Sequence, residues 1–450
     1  MPWPSKSDQG NLAGGRTLTD REHVHRHDHE SMMSVEEALA RVLSFFHELD
    51  PEDKPILEAQ GQVLAEDVVG RFDIPPLDNS AMDGYAVQVD SVEGASLESP
   101  RVLGVTGSVA AGHLPDRPVT PGTAIRIMTG APIPEGADAV VPFEDTDEVE
   151  RKARGDSLSE IAVQVGARRS ANIRPAGEDV KSGQRALEKG TVLRSGEIGV
   201  LASLGYSRVS VIRRPVAAIL ATGDELVEPG EEPGPGGIFD SNSYGLASAV
   251  RRAGGIPKLL GIAGDVLDEI ASRLQIGLRS DILITSAGVS KGDYDIVKDV
   301  LAKHGKIEFW SVRMRPAKPL AFGVLRGPDG RQVPHLGLPG NPVSALVGFE
   351  QFGRPAINRM LGKGDEARPV VEAVLEEPLY NTDGRRVFAR AIVTKRDGVY
   401  YARLTGQQSS NLLTSMARAN GLAVCPEDVA KKDIGEIVEV QMIDWPEDVF

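Results

Sequence analysis

The amino-acid sequence predicts a multidomain protein of the α/β plus β class. Its 450 residues exceed the roughly 100–200 residues of a single domain. Residues 214–365 alternate apolar strand-like runs with helix-like runs, which is typical of a three-layer domain with a parallel sheet between helices. Residues 74–179 and 366–450 instead contain short β-like runs between Gly and Pro residues, which indicates two β-rich modules.

The composition excludes several classes of function. Hydrophobic residues make up 41% and charged residues 26%, as in soluble globular proteins. No window approaches the ~18 consecutive apolar residues of a membrane span, and the polar N-terminus lacks the apolar region of a signal peptide. We therefore expect a cytoplasmic protein with no membrane partner. The net charge of −15 disfavours nucleic acid, whose binding requires Lys and Arg on phosphates.

The single cysteine, Cys425, excludes an intrachain disulfide framework and cysteine-rich metal centres. It lies in the apolar run GLAVC, where we expect a buried side chain without a chemical role.

The first predicted subdomain combines two separate stretches, residues 33–73 and 180–213, which have mixed helical and strand character. Ser34 and Glu37 predict a capping box at the start of a helix with one apolar face. Before it, residues 1–32 are predicted to be a disordered tail. The alternating histidines of this tail have no preorganised metal geometry; they are His23, His25, His27 and His29.

Residues 214–365 contain the predicted parallel sheet. The predicted strands are VAAILAT, KLLGIAGD, DILITSAG and IEFWSVRM, and a further strand precedes GLPGNP. The predicted helices are SYGLASAVRRAGG, VLDEIASRLQIGL and DIVKDVLAKHG. Asp240 or Ser241 is the expected N-cap of the first of these helices, and Gly254 its expected end. Residues 366–450 predict a small antiparallel β module.

Ligands of open parallel sheets bind outside the carboxyl ends of the strands. In this sequence those ends carry carboxylates and glycine-rich turns. They are Gly223-Asp224-Glu225, Gly264-Asp265, the run from Ser286 to Asp295, and Pro339-Gly340-Asn341-Pro342. The basic run Arg313–Lys318 follows another strand and would supply cations.

This convergence indicates a site for phosphate and a hard metal ion. Glycine turns let backbone N–H groups approach an oxyanion, and Mg²⁺ is usually held by one or two carboxylates together with phosphate oxygens. Each element alone also fits a helix cap, a tight turn or a solvated loop. The chain contains no P-loop sequence, which argues against a P-loop NTPase.

Seven strings resemble those of the molybdopterin molybdenumtransferase family, known as MoeA in bacteria and as the E domain of gephyrin. They are DNSAMDGYA (78–86), RIMTGAPIPEGADAVV (126–141), NIRPAGEDV (172–180), TGDEL (222–226), SAGVSKGDYD (286–295), RPAKPLAFG (315–323) and GLPGNPVSA (337–345). The resemblance runs from about residue 33 to the C-terminus.

The resemblance implies a four-subdomain chain. Residues 33–73 with 180–213 would form subdomain I, 74–179 the β-rich subdomain II, 214–365 a MogA-like subdomain III, and 366–450 the β-barrel-like subdomain IV. It also implies a homodimer whose active site lies between subdomain III of one copy and subdomain II of the other. The implied reaction inserts molybdate into adenylyl-molybdopterin with release of AMP, and Mg²⁺ is the implied cofactor. The adenylyltransferase that supplies the substrate is an expected partner.

The same resemblance implies roles for individual residues. The positions matching those needed for activity are Asp83, Thr129, Asp179, Glu225, Asp265 and Asp295, of which Glu225, Asp265 and Asp295 would bind Mg²⁺. The substrate-binding positions would be Gly223, Asp224, Gly288, Ser290, Gly292, Arg315, Lys318, Pro339, Gly340, Asn341 and Pro342. Among these, Arg315 and Lys318 would hold molybdate or a terminal phosphate. The sequence departs from the family at Ser311, where a lysine is common.

Two other functions remain open from the sequence. One is the adenylyltransferase that makes the substrate, because its fold resembles subdomain III. The other is a gephyrin-like scaffold without catalytic activity. The full set of carboxylates and the two flanking β-rich modules favour the insertion enzyme. The sequence does not distinguish molybdate from tungstate, because both are tetrahedral dianions of similar size.

Overall fold

The computed structural model describes residues 32–264, 266–287, 305–364 and 369–445. Within them the chain forms two compact units. One unit combines residues up to Asp50 with those from Ile212 onward, and the other comprises Pro51–Val211. No helix in the described ranges is long and apolar enough to span a membrane.

The helices are α1 (Val35–Leu43), α2 (Val89–Val92), α3 (Glu148–Arg154), α4 (Ser195–Ser203), α5 (Ser241–Ala253), α6 (Leu267–Gly277), α7 (Pro342–Gly348), α8 (Arg354–Met360) and α9 (Leu413–Arg418). Residues Phe143–Asp145 form a 3₁₀ turn, and Phe349–Gly353 form a π-helical turn between α7 and α8. The predicted helix DIVKDVLAKHG lies outside the described residues.

The strands of the Pro51–Val211 unit are β1 (Pro51–Pro55), β2 (Val68–Val69), β3 (Asn79–Ser80), β4 (Gly84–Val87), β5 (Arg101–Val109), β6 (Thr123–Ile127), β7 (Ala139–Pro142), β8 (Glu160–Val163), β9 (Ile173–Arg174), β10 (Arg185–Leu187) and β11 (Arg208–Ile212). The remaining strands are β12 (Val216–Thr222), β13 (Leu226–Val227), β14 (Ile238–Phe239), β15 (Ile256–Ala263), β16 (Ile282–Ser286), β17 (Gly305–Ser311), β18 (Met314–Arg315), β19 (Pro319–Arg326), β20 (Gln332–Leu338), β21 (Val370–Leu375), β22 (Leu379–Tyr380), β23 (Arg386–Arg396), β24 (Val399–Leu404), β25 (Gly421–Cys425), β26 (Lys431–Lys432) and β27 (Ile437–Met442).

The central sheet of the larger unit has six strands in the order β15-β12-β16-β20-β19-β17. The first four strands are parallel, as the sequence predicts. Strand β19 was not predicted; it lies between β20 and β17 and is antiparallel to both, so β17 still runs in the direction of the parallel strands. The reason is local: the GPDGR turn between β19 and β20 is closed by the Gly327 N–H on the Arg331 carbonyl (2.8 Å), and so short a connection reverses the chain.

Both faces of this sheet are buried, which explains its nearly continuous apolar strands. Along β12, Ala217 and Ile219 belong to one core and Ala218 and Leu220 to the other. Helices α5, α7 and α8 cover the first face, and α6 covers the second.

Helix α1 packs in the first of these cores through Val35, Ala38 and Val42. The sequence analysis assigned this helix to the first subdomain, with residues 33–73. In the structure its apolar face is instead buried against the central sheet. Its start is confirmed, because the Ser34 hydroxyl accepts the Glu37 N–H at 3.0 Å. The Glu37 carboxylate itself accepts from Arg41 at 2.8 Å.

The C-terminal module is a closed five-stranded barrel in the order β23-β24-β21-β27-β25, with β25 returning to β23. Four of its pairings are antiparallel, as predicted, but β21 and β24 are parallel. Closure leaves no free sheet edge in the barrel. Cys425 is buried in its core, which confirms the sequence-based expectation.

The Pro51–Val211 unit is built on a five-stranded sheet in the order β7-β4-β6-β5-β8. Its core residues lie on both sides of the sheet, with Tyr85 and Val87 on one side and Ala86 on the other. At Gly84 a side chain is excluded, since a Cβ there would lie 2.0 Å from the Val141 carbonyl oxygen. The predicted helix-like EIGVLASLG forms α4, which packs in a third core of this unit.

Candidate functional site

The loops singled out by the sequence follow strands whose carboxyl ends lie at one edge of the central sheet. Strands β12, β15, β16 and β20 are parallel, so the residues after each of them emerge at the same edge. Strand β17 runs in the same direction as β20, because both are antiparallel to β19. The basic run 313–318 therefore begins at this edge as well.

Two exposed carboxylates lie over the ends of β12 and β15. The Glu225 carboxylate folds back over Gly223, where a Cβ would lie 2.6 Å from one of its oxygens. Gly223 has a φ of +147°, which favours glycine. One Asp224 oxygen lies 3.1 Å from the position that a Cβ would take on Gly264, the residue just before Asp265.

The metal site cannot be assembled from the described residues alone. The predicted positions Asp265, Gly288, Ser290, Gly292 and Asp295 lie outside the described ranges. Within those ranges no three His, Cys, Asp or Glu side chains gather as a metal-binding group. The donors present at the edge, Asp224 and Glu225, are carboxylates of the type that Mg²⁺ prefers, so the described chemistry fits this ion.

Buried hydroxyl side chains lie at the carboxyl ends of two strands of the sheet. Thr222 is the last residue of β12, Thr285 and Ser286 are the last two residues of β16, and all three are buried. Consecutive strand residues point to opposite faces. On one face the Thr285 hydroxyl contacts His335 Nε2 at 2.9 Å, and burial lowers the pKa of His335 to about 3, so this imidazole is neutral. On the other face Ser286 contacts Asn242 of α5.

The GLPGNP turn joins β20 to α7 and is exposed at its tip. Pro339 is buried, Gly340 and Asn341 are exposed, and Pro342 is the first residue of α7. The Gly340 carbonyl accepts a hydrogen bond from Asn242 Nδ2 at 2.7 Å. Asn242 was not among the predicted site residues, although it lies beside the predicted N-cap Asp240, which is confirmed by its bond from the Ser243 N–H at 3.0 Å.

Arg315 is held by the barrel. Strand β18 pairs with β23, and Arg315 donates to the Thr382 hydroxyl (3.3 Å) and the Tyr380 carbonyl (3.2 Å). Its guanidinium also lies 3.5 Å from Asp383. Lys318 closes the same loop, because its carbonyl accepts the Val312 N–H at 2.8 Å.

Arg390 is a second arginine of this region, which the sequence reasoning missed. Its side chain is 1% exposed and donates to the Ser415 hydroxyl and the Ser409 carbonyl, both at 3.0 Å. No ion pair joins it to a carboxylate within the described ranges. Burial and the nearby Arg315 charge lower the pKa of Arg390 to about 10. The sequence feature that could have indicated a buried arginine is its position inside the apolar run VFARAIV.

A second group of predicted residues lies in the Pro51–Val211 unit. The Asp83 Oδ1 accepts both the Thr129 N–H (2.7 Å) and the Thr129 hydroxyl (2.8 Å). The bond from the Thr129 backbone, followed by the one from its hydroxyl, holds the pKa of Asp83 below its usual range. This carboxylate is therefore ionised at neutral pH.

Three of the family-like sequence segments, residues 78–86, 126–141 and 172–180, lie close together near Asp83 and Thr129. Strand β3 pairs with β9, and the Gly130 N–H donates to the Ser80 carbonyl at 2.8 Å. Asp179 follows β9 and is exposed, and its N–H donates to the Ile74 carbonyl at 2.9 Å. Among the described contacts, none joins the Asp179 carboxylate to Asp83 or Thr129.

These features define a class: multidomain proteins with a mostly parallel α/β sheet whose strand-end loops carry carboxylates and glycine-rich turns, a closed barrel and a separate β-rich unit. Three models of known protein families match successive segments of the chain. Residues 33–205 match the MoeA N-terminal region (domain I and II), residues 218–359 a probable molybdopterin binding domain, and residues 372–443 the MoeA C-terminal region (domain IV).

Individual relatives match nearly the whole chain. A Mycobacterium tuberculosis protein named Molybdopterin molybdenumtransferase 2 is 38% identical over 417 residues, covering 91% of this chain and 99% of its own length. A Bacillus subtilis protein named Molybdopterin molybdenumtransferase is 34% identical over 420 residues, 92% of this chain and 96% of its own length. The crystal structure of a molybdopterin biosynthesis MoeA protein from Pyrococcus horikoshii OT3 is 31% identical with a TM-score of 0.75, covering 91% of this chain and 100% of that one. The chain belongs to the molybdopterin molybdenumtransferase family.

Proposed function

We propose that this protein is a molybdopterin molybdenumtransferase that inserts molybdate into adenylyl-molybdopterin and releases AMP, in molybdenum cofactor biosynthesis in the cytoplasm. The observation that carries the proposal is the 38% identity, over 91% of the chain, to a relative with this name. The same observation favours this function over the adenylyltransferase and the non-catalytic scaffold.

The two arginines at the sheet–barrel boundary support a role in holding molybdate. Arg390 is buried and its described partners are neutral, so its charge is not neutralised by a carboxylate. Arg315 is close enough to lower the pKa of Arg390. The Asp383 carboxylate already lies 3.5 Å from Arg315, so the charge without a carboxylate partner is that of Arg390, and an anion beside it would be stabilised. Guanidinium is well suited to tetrahedral oxyanions. Lys318 would add a third cation.

We propose Mg²⁺ as the cofactor, held by Glu225 with Asp265 and Asp295, while Gly223 and Asp224 would contact the substrate. When bound, the ion would neutralise phosphate oxygens as the phosphoanhydride breaks. The exposed turn at Gly340 would bind phosphate through backbone N–H groups. The contribution of the protein is thus positioning and charge compensation.

We further propose a homodimer in which Asp83, Thr129 and Asp179 of one copy complete the site of the other. The support is the family resemblance together with the Thr129–Asp83 bonds, which keep a partly exposed carboxylate ionised. Because this carboxylate is fixed by two donors, its orientation is set before substrate arrives.

The proposal is tested with purified protein, adenylyl-molybdopterin, Mg²⁺ and molybdate. We expect release of AMP together with formation of the molybdenum cofactor. Incubation of unmodified molybdopterin with ATP in a parallel reaction tests the adenylyltransferase alternative. If competent substrate yields neither AMP nor cofactor, the proposed function is wrong.

A further inference from the structure

Asn242 bridges two loops of the sheet edge with a single amide group. Its Nδ2 lies 2.7 Å from the Ser286 hydroxyl and 2.7 Å from the Gly340 carbonyl oxygen. The three residues are far apart in sequence and come from α5 and the ends of β16 and β20. One amide nitrogen has two hydrogens, so both bonds can form at once.

The orientation of this amide follows from its partners. The Gly340 carbonyl only accepts hydrogen bonds, so the nitrogen of Asn242 and not its oxygen must face it. The Asn242 Oδ1 is buried and has no hydrogen-bond partner in the described part of the chain.

The helix that carries Asn242 is fixed in place. Its N-cap, Asp240, is buried and donates its own N–H to the Val227 carbonyl at 3.0 Å. On the next turn Gly245 faces Leu346 of α7, whose side chain lies 3.4 Å from the position of a Cβ on that glycine. The amide of Asn242 is therefore presented from a rigid support to the loops.

The bond to Gly340 sets the direction of the next peptide N–H. The Gly340–Asn341 peptide is not among the cis bonds of the chain, and in a trans peptide the C=O and N–H groups point in opposite directions. With the Gly340 carbonyl turned to Asn242, the Asn341 N–H points away from it. Gly340 and Asn341 are both exposed, and among the described residues no backbone carbonyl accepts the Asn341 N–H.

We propose that Asn242 is a positioning residue for phosphate recognition. It holds the Gly340–Asn341 peptide so that the Asn341 N–H donates to a phosphate oxygen of the adenylylated substrate, and it ties this turn to the end of β16 through Ser286. The inference rests on the proposed function, because it takes the phosphate of AMP as the group recognised.

The test compares the affinities of AMP and adenosine, measured by calorimetry, for wild-type protein and for Asn242→Ala. Loss of one hydrogen bond to a charged group weakens binding about tenfold or more. We expect the preference for AMP over adenosine to fall by about that factor, while adenosine binds as before, since it lacks the phosphate. A purely structural defect would lower the affinities for AMP and adenosine equally.

Asn420 provides the matched control in the barrel. Its amide also serves a backbone partner, accepting the Val393 N–H at 2.7 Å and donating to the Val393 carbonyl at 2.9 Å. Asn420→Ala should lower the melting temperature without changing the preference for AMP. If Asn242→Ala does not fold, Asn242→Leu, which has a similar volume without the amide, is measured in the same way.

The outcomes separate the two proposals. Wild-type protein that does not release AMP from adenylyl-molybdopterin overturns the proposed function and this inference with it. If wild-type protein releases AMP, the proposed function stands. The role of Asn242 alone is then overturned if its variants keep the wild-type preference for AMP, or if their affinities for AMP and adenosine fall equally.

Discussion

Thr129 donates both its backbone N–H and its hydroxyl to the same oxygen of Asp83, at 2.7 and 2.8 Å. The two bonds hold the pKa of this aspartate below its usual range. They also join two of the family strings that lie 46 residues apart in the chain. A partly exposed carboxylate fixed by two donors has a defined charge and orientation.

Thr129→Val removes the hydroxyl donor and keeps the backbone donor. We expect the pKa of Asp83 to rise toward its ordinary value, because one of the bonds that favour the carboxylate is lost. If activity needs the ionised aspartate, the activity of the variant should be lost on acidification at a higher pH than the activity of the wild type. The rate of AMP release as a function of pH measures this shift.

Thr106→Val is the control for this substitution. The Thr106 hydroxyl is exposed and donates to the Ala124 carbonyl at 3.4 Å, within the same unit. Its loss should leave the pH profile unchanged. An acid limb that is identical in the wild type and in Thr129→Val would contradict the role given to the pair.

Arg390→Met should reduce molybdate use without destabilising the protein. A buried charge without a carboxylate partner is costly in the fold, and its replacement by an apolar residue of similar length is often neutral or stabilising. We expect the KM for molybdate to rise about tenfold or more, as for loss of a charge-assisted hydrogen bond, with an unchanged or higher melting temperature. Arg396, on the same strand but paired with Glu376, gives the control variant Arg396→Met. A large loss of stability in Arg390→Met with a normal KM would show that this arginine is structural.

Glu225→Gln should raise the Mg²⁺ concentration needed for half-maximal activity. The substitution keeps the shape of the side chain and removes its charge, and hard divalent ions prefer carboxylates over amides. We expect an increase of about tenfold or more, taking one charge-assisted contact as lost, with activity recovering at high Mg²⁺. Glu228→Gln is the control, because the Glu228 carboxylate accepts from the Tyr244 hydroxyl at 3.2 Å. An equal Mg²⁺ requirement in the wild type and Glu225→Gln would remove Glu225 from the metal site.

Asp281 gives a prediction on stability that is independent of catalysis. It accepts two hydrogen bonds from Arg213 (2.7 and 2.8 Å) and one from the Val216 N–H (2.8 Å). Burial raises the pKa of Asp281, but these bonds and the arginine charge outweigh it, so the net pKa is lowered. Asp281→Asn should destabilise the larger unit by about 2–3 kcal/mol, below the range for a fully buried pair because Arg213 is partly exposed.

The pH dependence of unfolding follows from the same pair. A lowered pKa in the folded state gives stability that is present above the unfolded pKa of about 3.9 and is lost as the pH falls through the folded value. The wild type should therefore lose more stability below about pH 4 than Asp281→Asn does. Asp156→Asn, in the exposed pair with Arg154, should change stability by less than about 0.5 kcal/mol. Parallel acid limbs in the wild type and Asp281→Asn would contradict this assignment.

Local signals in the sequence predicted local structure well. Ser34 and Asp240 cap their helices as expected, and Gly254 ends α5 with a positive φ. These features depend on hydrogen bonds within a few residues. The four parallel strands were also predictable, because continuous apolar runs alternating with helices leave few other arrangements.

Other features depend on contacts that no short stretch of sequence contains. Arg390 is buried near Arg315 only once the barrel closes. Asn242 contacts Gly340, 98 residues away, only once α5 packs beside that turn. The antiparallel strand β19 was not predicted, because no helix separates it from β17 or β20 and the alternating pattern predicts strands joined through helices. The gathering of Glu225, Asp265 and Asp295 around one ion remains a prediction, because two of the three lie outside the described residues.

The most direct test of the account is a single-turnover measurement of AMP released and molybdenum cofactor formed, in wild-type protein and in Glu225→Gln, at limiting Mg²⁺. If carboxylates at the sheet edge hold the ion that assists phosphoanhydride cleavage, the wild type should produce AMP and cofactor in equal amounts, and the variant should lose both together. Cofactor formation by Glu225→Gln at the wild-type rate under the same limiting Mg²⁺ would contradict that claim.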